Sequence, residues 1–239
     1  AETKRPRALI NGFGRIGRLA LRRSLGFGGV DLAAFDVVAV NDPLAVAESA
    51  AYLLEFDSTI GKFGSTTVAE DGESFSIKTA GEKESTFKFT RAKTPAEVED
   101  GTFYSLAPPT LPLSLFISLP PPLDLNPSSP PSFSSQVPLE GIDLVLECSG
   151  KFLTRAALQP FFDNGAKAVV VSAPIDDKEK PVLNCVYGVN HEEYANSDDA
   201  IVTAASCTTN CLAPLVKVVL ENFGIERGCI TTIHDVTNT

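Results

Sequence analysis

Ser206-Cys207-Thr208-Thr209-Asn210-Cys211 places a thiol among hydroxyl and amide groups at what reads as the start of a helix. Unpaired helix N–H groups and the macrodipole favour an anion at such a position, so a cysteine there is suited to act as a thiolate nucleophile. Most cysteines are inert buried thiols, and that is the competing reading of Cys207. Cys211, one helical turn further on, reads as a packing residue. His234 follows Cys207 by 27 residues, within a β-like run over 229–234. An imidazole beside the thiol would stabilise the thiolate and serve as general base and acid, although spacing alone leaves their proximity open. His191, the other histidine, lies in an acidic, loop-like stretch and reads as solvated. No Cys/His cluster has the spacing of a metal site, so no metal is expected.

A second constellation lies near the N-terminus. Gly12-x-Gly14-x-x-Gly17 sits between a predicted strand and a predicted helix, the context that raises this pattern above chance. The first glycine permits a tight turn, the second lets backbone approach a pyrophosphate, and the third allows close helix–strand packing. Arg15 and Ile16 would supply backbone N–H groups to the phosphates at the helix N-terminus. Asp42, after the second strand, is placed to accept hydrogen bonds from ribose hydroxyls. The alternative is that the glycines serve only a turn and Asp42 is a solvated loop acid. With Cys207, the pattern points to covalent redox chemistry beside a nicotinamide.

These residues need a scaffold. The short apolar run 8–10 reads as a strand entering a turn, and residues 15–25 carry apolar positions at helical spacing. Residues 35–40 read as a second buried strand closed by Asn41-Asp42-Pro43, followed by helix around 46–56. Residues 64–89 alternate apolar and polar between glycine turns, which suggests antiparallel hairpins rather than another crossover. Residues 142–147 and 168–172 have the continuous apolar character of parallel strands, with helix between them over 154–165. Strands alternating with helices imply an α/β, doubly wound parallel sheet.

The chain has 239 residues, enough for one large domain or two ordinary ones, and 44% of them are hydrophobic, ample for a packed core. A formal net charge of −10 argues against nucleic acid or an anionic membrane as the main partner. Five irregularly spaced cysteines imply a reducing compartment rather than a disulfide framework. The absence of Met implies a chain that starts downstream of its real N-terminus, where a targeting peptide would be invisible.

Residues 101–136 break the pattern. They hold 9 of the 17 prolines, 8 serines and 7 leucines, and Asp124 is their only charge. Repeated prolines forbid a membrane-spanning helix there. A proline-rich linker or partner-binding loop is one reading. The other is translated intron: Pro, Leu, Ser and Phe are largely encoded by codons that begin with two pyrimidines. Removing the segment joins Glu99-Asp100 to Val137-Pro138 in an uninterrupted "TPAEVEDVPLEGIDLVLE".

Taken together, "INGFGRIGR" (10–18), "VND" (40–42), "FDSTIGKF" (56–63), "ECSG" (147–150), "ASCTTNCLAP" (205–214) and "TTIH" (231–234) closely resemble the phosphorylating glyceraldehyde-3-phosphate dehydrogenase family, in the family's order. Outside 101–136 the resemblance covers almost the whole chain. It implies a Rossmann-type NAD-binding domain over 1–205, then the start of an α+β catalytic domain over 206–239, truncated in this chain. It further implies that Cys207 attacks the aldehyde of glyceraldehyde 3-phosphate and His234 takes the proton. Hydride passes to NAD, and inorganic phosphate cleaves the resulting thioester. The implied cofactor residues are Asn11, Gly12, Phe13, Gly14, Arg15, Ile16, Gly17, Asp42, Arg91, Ser149, Gly150 and Ser172. Ser206, Thr208 and Thr237 match residues that hold the substrate or its phosphates. The full-length protein is expected to be a homotetramer, cytoplasmic, with a plastid or mitochondrion left open, and without nucleic-acid or membrane partners. Asp42 would repel a 2′-phosphate and favours NAD, with NADP left open.

Two departures stand out. Asp235-Val236-Thr237-Asn238-Thr239 follows His234, where many members carry Tyr-Thr-Asn-Asp. The chain also stops at Thr239, before most of the family's catalytic sheet, so as it stands it is expected to be inactive and aggregation-prone. Competing readings are an erythrose-4-phosphate dehydrogenase, a non-catalytic nucleotide-binding or thiol-redox sensor built on Cys207, and a fragment without function. The intron reading predicts that transcripts read across codons 100 and 137 lack the intervening segment. A transcript that retains it would contradict that reading.

Overall fold

Leu9 and Ile10 are adjacent in sequence, both fully buried, and belong to two different cores. Successive side chains of a strand point to opposite faces, so a strand buried on both sides implies a sheet covered on both faces. The structure is a computed structural model that describes residues 5–28, 34–79, 81, 83–92, 141–175 and 177–234. The 101–136 segment, its junctions and Thr237 lie outside the described residues.

The described chain runs β1 (Arg7–Asn11), α1 (Arg15–Ser24), β2 (Asp36–Asn41), α2 (Ala47–Glu55), β3 (Phe56–Asp57), β4 (Gly61–Lys62), β5 (Ser65–Val68), β6 (Ser74–Lys78) and β7 (Glu84–Thr90). It continues through β8 (Leu144–Glu147), α3 (Arg155–Asp163), β9 (Ala168–Val171), β10 (Leu183–Asn184), a 3-10 helix (His191–Asn196), β11 (Ile201–Thr203) and α4 (Cys207–Phe223). Nine strands form one sheet in the order β10-β11-β9-β8-β1-β2-β7-β6-β5, and β3 and β4 make a separate two-stranded ribbon. Strands β1, β2, β7, β8, β9, β10 and β11 are joined by parallel pairings, with β5-β6-β7 attached as an antiparallel meander. The alternation read over 64–89 is therefore a meander whose last strand returns parallel to β2. This is a doubly wound, Rossmann-type sheet.

From β1 the chain moves outward on one side to β2, and on the other side to β8. The turns after β1 and β8 thus lie side by side at a topological switch point, where open α/β sheets leave a crevice at their carboxyl edge. One core packs Leu9, Val145 and Val169 against Leu158 and Phe161 of α3. The other packs Ile10, Val40 and Leu146 against Leu21 of α1 and Leu54 of α2, and it includes Phe75, Phe87 and Phe89 of the meander.

Helix α1 lies close against β1 because position 17 has no side chain. A Cβ there would stand 2.2 Å from the Gly12 carbonyl oxygen and 3.1 Å from Ile10 Cγ2. One turn on, the buried Arg22 donates from Nε and Nη2 to the Leu54 carbonyl and from Nη1 to the Gly61 carbonyl. Those bonds satisfy the C-terminal end of α2 and tie the β3–β4 ribbon to α1. Burial pulls the Arg22 guanidinium below its ordinary range, partly offset by Asp57.

Three sequence expectations are corrected. The run 229–234 forms no strand; it is irregular and exposed. Backbone with β propensity needs a neighbouring strand for its N–H and C=O groups, and none of the described strands pairs with it. Cys211 is exposed rather than packed, because none of the residues of α4 is buried among the described residues. His191 is only half-exposed and opens the 3-10 helix: its Nδ1 accepts from the Gly188 N–H at 3.0 Å, and its ring lies 4.5 Å from that of Tyr187.

Substituting Gly17→Ala is expected to destabilise the protein by about 1–3 kcal/mol, because the added methyl meets backbone that cannot yield. Thermal unfolding should show a midpoint lowered by roughly 2–4 °C per kcal/mol. An unchanged midpoint would contradict the packing described.

Candidate functional site: the carboxyl edge of the sheet

The described residues implied for cofactor and substrate, together with Cys207, collect at one edge. Gly12 and Phe13 follow β1, Gly14 to Gly17 open α1, Asp42 follows β2, and Arg91 follows β7. Ser149 and Gly150 follow β8, Ser172 follows β9, and Ser206 and Cys207 follow β11 by a three-residue connection. A parallel sheet delivers all these turns to the same side, so the topology gathers residues that are far apart in sequence.

Gly12 has φ +90 and is wedged against the turn after β8. A Cβ on it would lie 2.4 Å from the Ser149 nitrogen and 2.6 Å from the Cys148 carbonyl carbon. Only glycine permits both the backbone angle and the contact. Gly14 differs: a Cβ there meets nothing within 4 Å. It caps the N-terminus of α1 without any side-chain hydrogen bond. Thr154 and Ser206, by contrast, cap α3 and α4 through their hydroxyls. The first amides of α1 have no acceptor within the helix, and the space around a Gly14 side-chain position is open, an arrangement that fits an anionic oxygen.

Asp42 does structural work that the sequence did not disclose. One carboxylate oxygen accepts the Phe13 N–H at 2.8 Å and the other accepts the Leu44 N–H at 2.9 Å. It therefore pins the glycine turn to the end of β2 and retains lone pairs for ribose hydroxyls. A dinucleotide fits these residues: open space over Gly14, uncapped amides, and a fixed carboxylate one strand away.

Under the turns runs a buried polar network. The Asn11 amide donates to Glu147, whose carboxylate also accepts the Ser149 N–H at 2.7 Å and the Ser149 hydroxyl. Asn41 Nδ2 donates to Asn11 Oδ1 at 2.8 Å, and Asn41 Oδ1 accepts from Thr90 Oγ1 at 2.8 Å and the Ala92 N–H at 2.9 Å. Glu147 is 0% exposed, and burial raises its carboxyl above the ordinary range against the pull of its donors. The Asn11 side chain is thus occupied inside the protein, and only its backbone is left for a ligand. Cys148, beside this carboxyl, is pushed up to about 12 by burial and by Glu147, so it is a thiol and not a second nucleophile.

At the other end of the edge, Ala205 is the one described non-glycine residue with positive φ, at 56°, and is almost fully buried. That sparsely populated conformation is held by Asn210, whose amide bonds the Ala204 carbonyl at 2.7 Å and the Ser206 carbonyl at 2.9 Å. The bend places Ser206 as N-cap, its oxygen accepting the Thr209 N–H at 3.0 Å, and leaves Cys207 as the first, exposed residue of α4. Ser206 and Thr208 share a hydroxyl–hydroxyl bond of 3.0 Å. His234 is exposed, and no hydrogen bond joins it to Cys207. Arg91 is exposed, and Ser172 donates its backbone N–H to the Glu147 carbonyl at 2.9 Å.

Sequence comparison agrees with this geometry. Residues 7–101 match the family described as "Glyceraldehyde 3-phosphate dehydrogenase, NAD binding domain", and residues 206–239 match "Glyceraldehyde 3-phosphate dehydrogenase, C-terminal domain". The chain is 37% identical over 235 residues to "Glyceraldehyde-3-phosphate dehydrogenase 2" of Caenorhabditis elegans, covering 98% of this chain and 55% of that protein. It is 40% identical over 232 residues to "Glyceraldehyde-3-phosphate dehydrogenase 3" of a Nostoc species, covering 96% and 53%. Identity to the "Glyceraldehyde-3-phosphate dehydrogenase" of Ogataea parapolymorpha is 38% over 230 residues, covering 96% and 53%. The chain spans about half the length of the curated relatives it matches. With a parallel nucleotide-binding sheet, an uncapped glycine turn and a cysteine opening the next helix, the chain belongs to the glyceraldehyde-3-phosphate dehydrogenase family.

Proposed function

We propose that the protein of which this chain is part catalyses the NAD-dependent, phosphorylating oxidation of glyceraldehyde 3-phosphate. The observation that carries this reading is that Cys207 and the uncapped N-terminus of α1 stand at the same edge of one parallel sheet. The nicotinamide of NAD supplies a hydride acceptor. Backbone amides of Arg15 and Ile16 would receive the pyrophosphate, and Asp42 the adenosine ribose. Ser149, Gly150 and Ser172 would line the crevice, with Arg91 at its rim.

In the chemistry proposed, the Cys207 sulfur adds to the aldehyde carbon, and the carbonyl oxygen takes a proton to give a hemithioacetal. His234 removes that proton as hydride leaves the same carbon, which becomes a thioester. Inorganic phosphate then attacks the thioester carbon and expels the Cys207 thiolate, releasing the acyl phosphate. Ser206, Thr208 and Thr237 would hold the substrate or its phosphate. The domain boundary is placed at Ala205–Ser206, between the nucleotide-binding and catalytic parts. A homotetramer is the proposed assembly. Five free cysteines fit a reducing compartment such as the cytoplasm. No described helix is long and apolar enough to cross a membrane.

The nucleotide half is tested by Gly14→Ala. Its methyl enters empty space in the fold, so the stability loss should be no more than about 1 kcal/mol, the cost of alanine at an N-cap, while NAD affinity falls about tenfold or more. Unchanged affinity by calorimetry would count against the assigned phosphate position. The covalent half is tested by mass spectrometry on a chain extended to its relatives' length and given aldehyde and NAD without phosphate. An acyl adduct is expected on Cys207 and absent in Cys207→Ser; an adduct on Cys211 or Cys229 instead would overturn the assignment.

A further inference from the structure

The network beneath the nucleotide turns has a direction. At one end, the Ala92 backbone fixes the Asn41 amide: the Ala92 N–H requires its oxygen, and the Ala92 carbonyl accepts from its NH2 at 3.2 Å. The Asn41 NH2 must then face an acceptor on Asn11, which turns the Asn11 NH2 towards Glu147. At the other end, the Ser149 N–H and hydroxyl both donate to Glu147. Glu147 therefore receives donors from both sides and offers none. Asn11, Asn41 and Glu147 are 5%, 2% and 0% exposed, so water cannot repair a mismatch at any link.

We propose that Glu147 is a positioning residue for the nucleotide site, because its carboxylate sets the polarity of the Ala92–Asn41–Asn11–Glu147–Ser149 relay and so holds the turns after β1, β2 and β8 together. The relay reaches the ligand-facing turns directly. Ser149 supplies the backbone against which Gly12 is wedged, and the Asn41 carbonyl accepts the Gly12 N–H at 2.8 Å. A neutral amide at position 147 can accept from Ser149 but must present its NH2 to that of Asn11. Flipping Asn11 only moves the conflict to Asn41, and flipping Asn41 moves it to the Ala92 N–H. The relay accommodates a donor at position 147 only if an acceptor-only group takes the place of Asn11.

This inference rests on the NAD reading above. The experiment is a double-mutant cycle on the chain as it exists, with NAD affinity by calorimetry and the thermal unfolding midpoint measured for each variant. Glu147→Gln should weaken NAD binding about tenfold, the effect of one unsatisfied buried donor. Asn11→Asp alone sets two carboxyls against each other and should also weaken it. The double variant Glu147→Gln with Asn11→Asp moves the carboxylate one link along and restores every donor–acceptor pair. It should bind NAD within about threefold of the wild type, with a recovered midpoint.

A folded Glu147→Gln variant with wild-type affinity would overturn the proposal, as would a double variant no better than the worse single variant. If Glu147→Gln does not fold, the double variant must fold and bind, and its failure to do so is also contrary. A folded wild-type chain that does not bind NAD refutes the cofactor reading instead. The midpoints of the four proteins then still decide whether the relay has the polarity assigned.

Discussion

The carboxyl edge of the sheet is organised around one close contact: the backbone of Ser149 rests on Gly12 where no side chain would fit. Two chain segments separated by more than half the sequence meet there, one leaving β1 and the other leaving β8. The contact requires a glycine with positive φ on one side and a fixed serine turn on the other. It also brings the β1 and β8 turns into register with Asp42, which grips the same glycine turn through the Phe13 amide. Gly17 repeats the device on the helix side, where α1 touches the Gly12 carbonyl. The nucleotide crevice is thus shaped by missing side chains above and by a buried polar relay below.

Helix ends distribute the chemistry along that edge. Of the helices that begin there, α1, α3 and α4 have caps that differ in kind. α3 and α4 satisfy first-turn amides with Thr154 and Ser206, whereas α1 begins at Gly14 and leaves its first amides to an outside acceptor. The hydroxyl cap of α4 also places Cys207 beyond the cap, exposed, after a strained Ala205 that Asn210 holds in place. Similar local physics yields an anion seat in one case and a presented thiol in the other.

Much of this was legible in the sequence where the requirement is local. A glycine pattern between an apolar run and a helical run states its geometry, because turn, phosphate approach and packing each exclude a Cβ. Continuous apolar strands announced a sheet buried on both faces. The relay was not legible: Asn11, Asn41 and Glu147 stand at strand ends, where polar residues ordinarily meet solvent, and only the pairing of β1 with β2 and β8 brings them together. Ala205 carries no mark of its positive φ, since alanine rarely adopts it. The run 229–234 misled because β propensity expresses itself only beside a partner strand. His191 misled because an acidic neighbourhood hides a ring that packs at a tilt against Tyr187 and accepts a backbone bond.

The edge between β1, β2 and β8 is proposed as a dinucleotide site whose phosphates sit on α1. A crystal structure of the chain with NAD tests it most directly. Pyrophosphate oxygens are expected within hydrogen-bonding distance of the Arg15 and Ile16 amides, over the open space at Gly14, with adenosine ribose hydroxyls on Asp42. A dinucleotide bound away from α1, or with its ribose turned from Asp42, would contradict it.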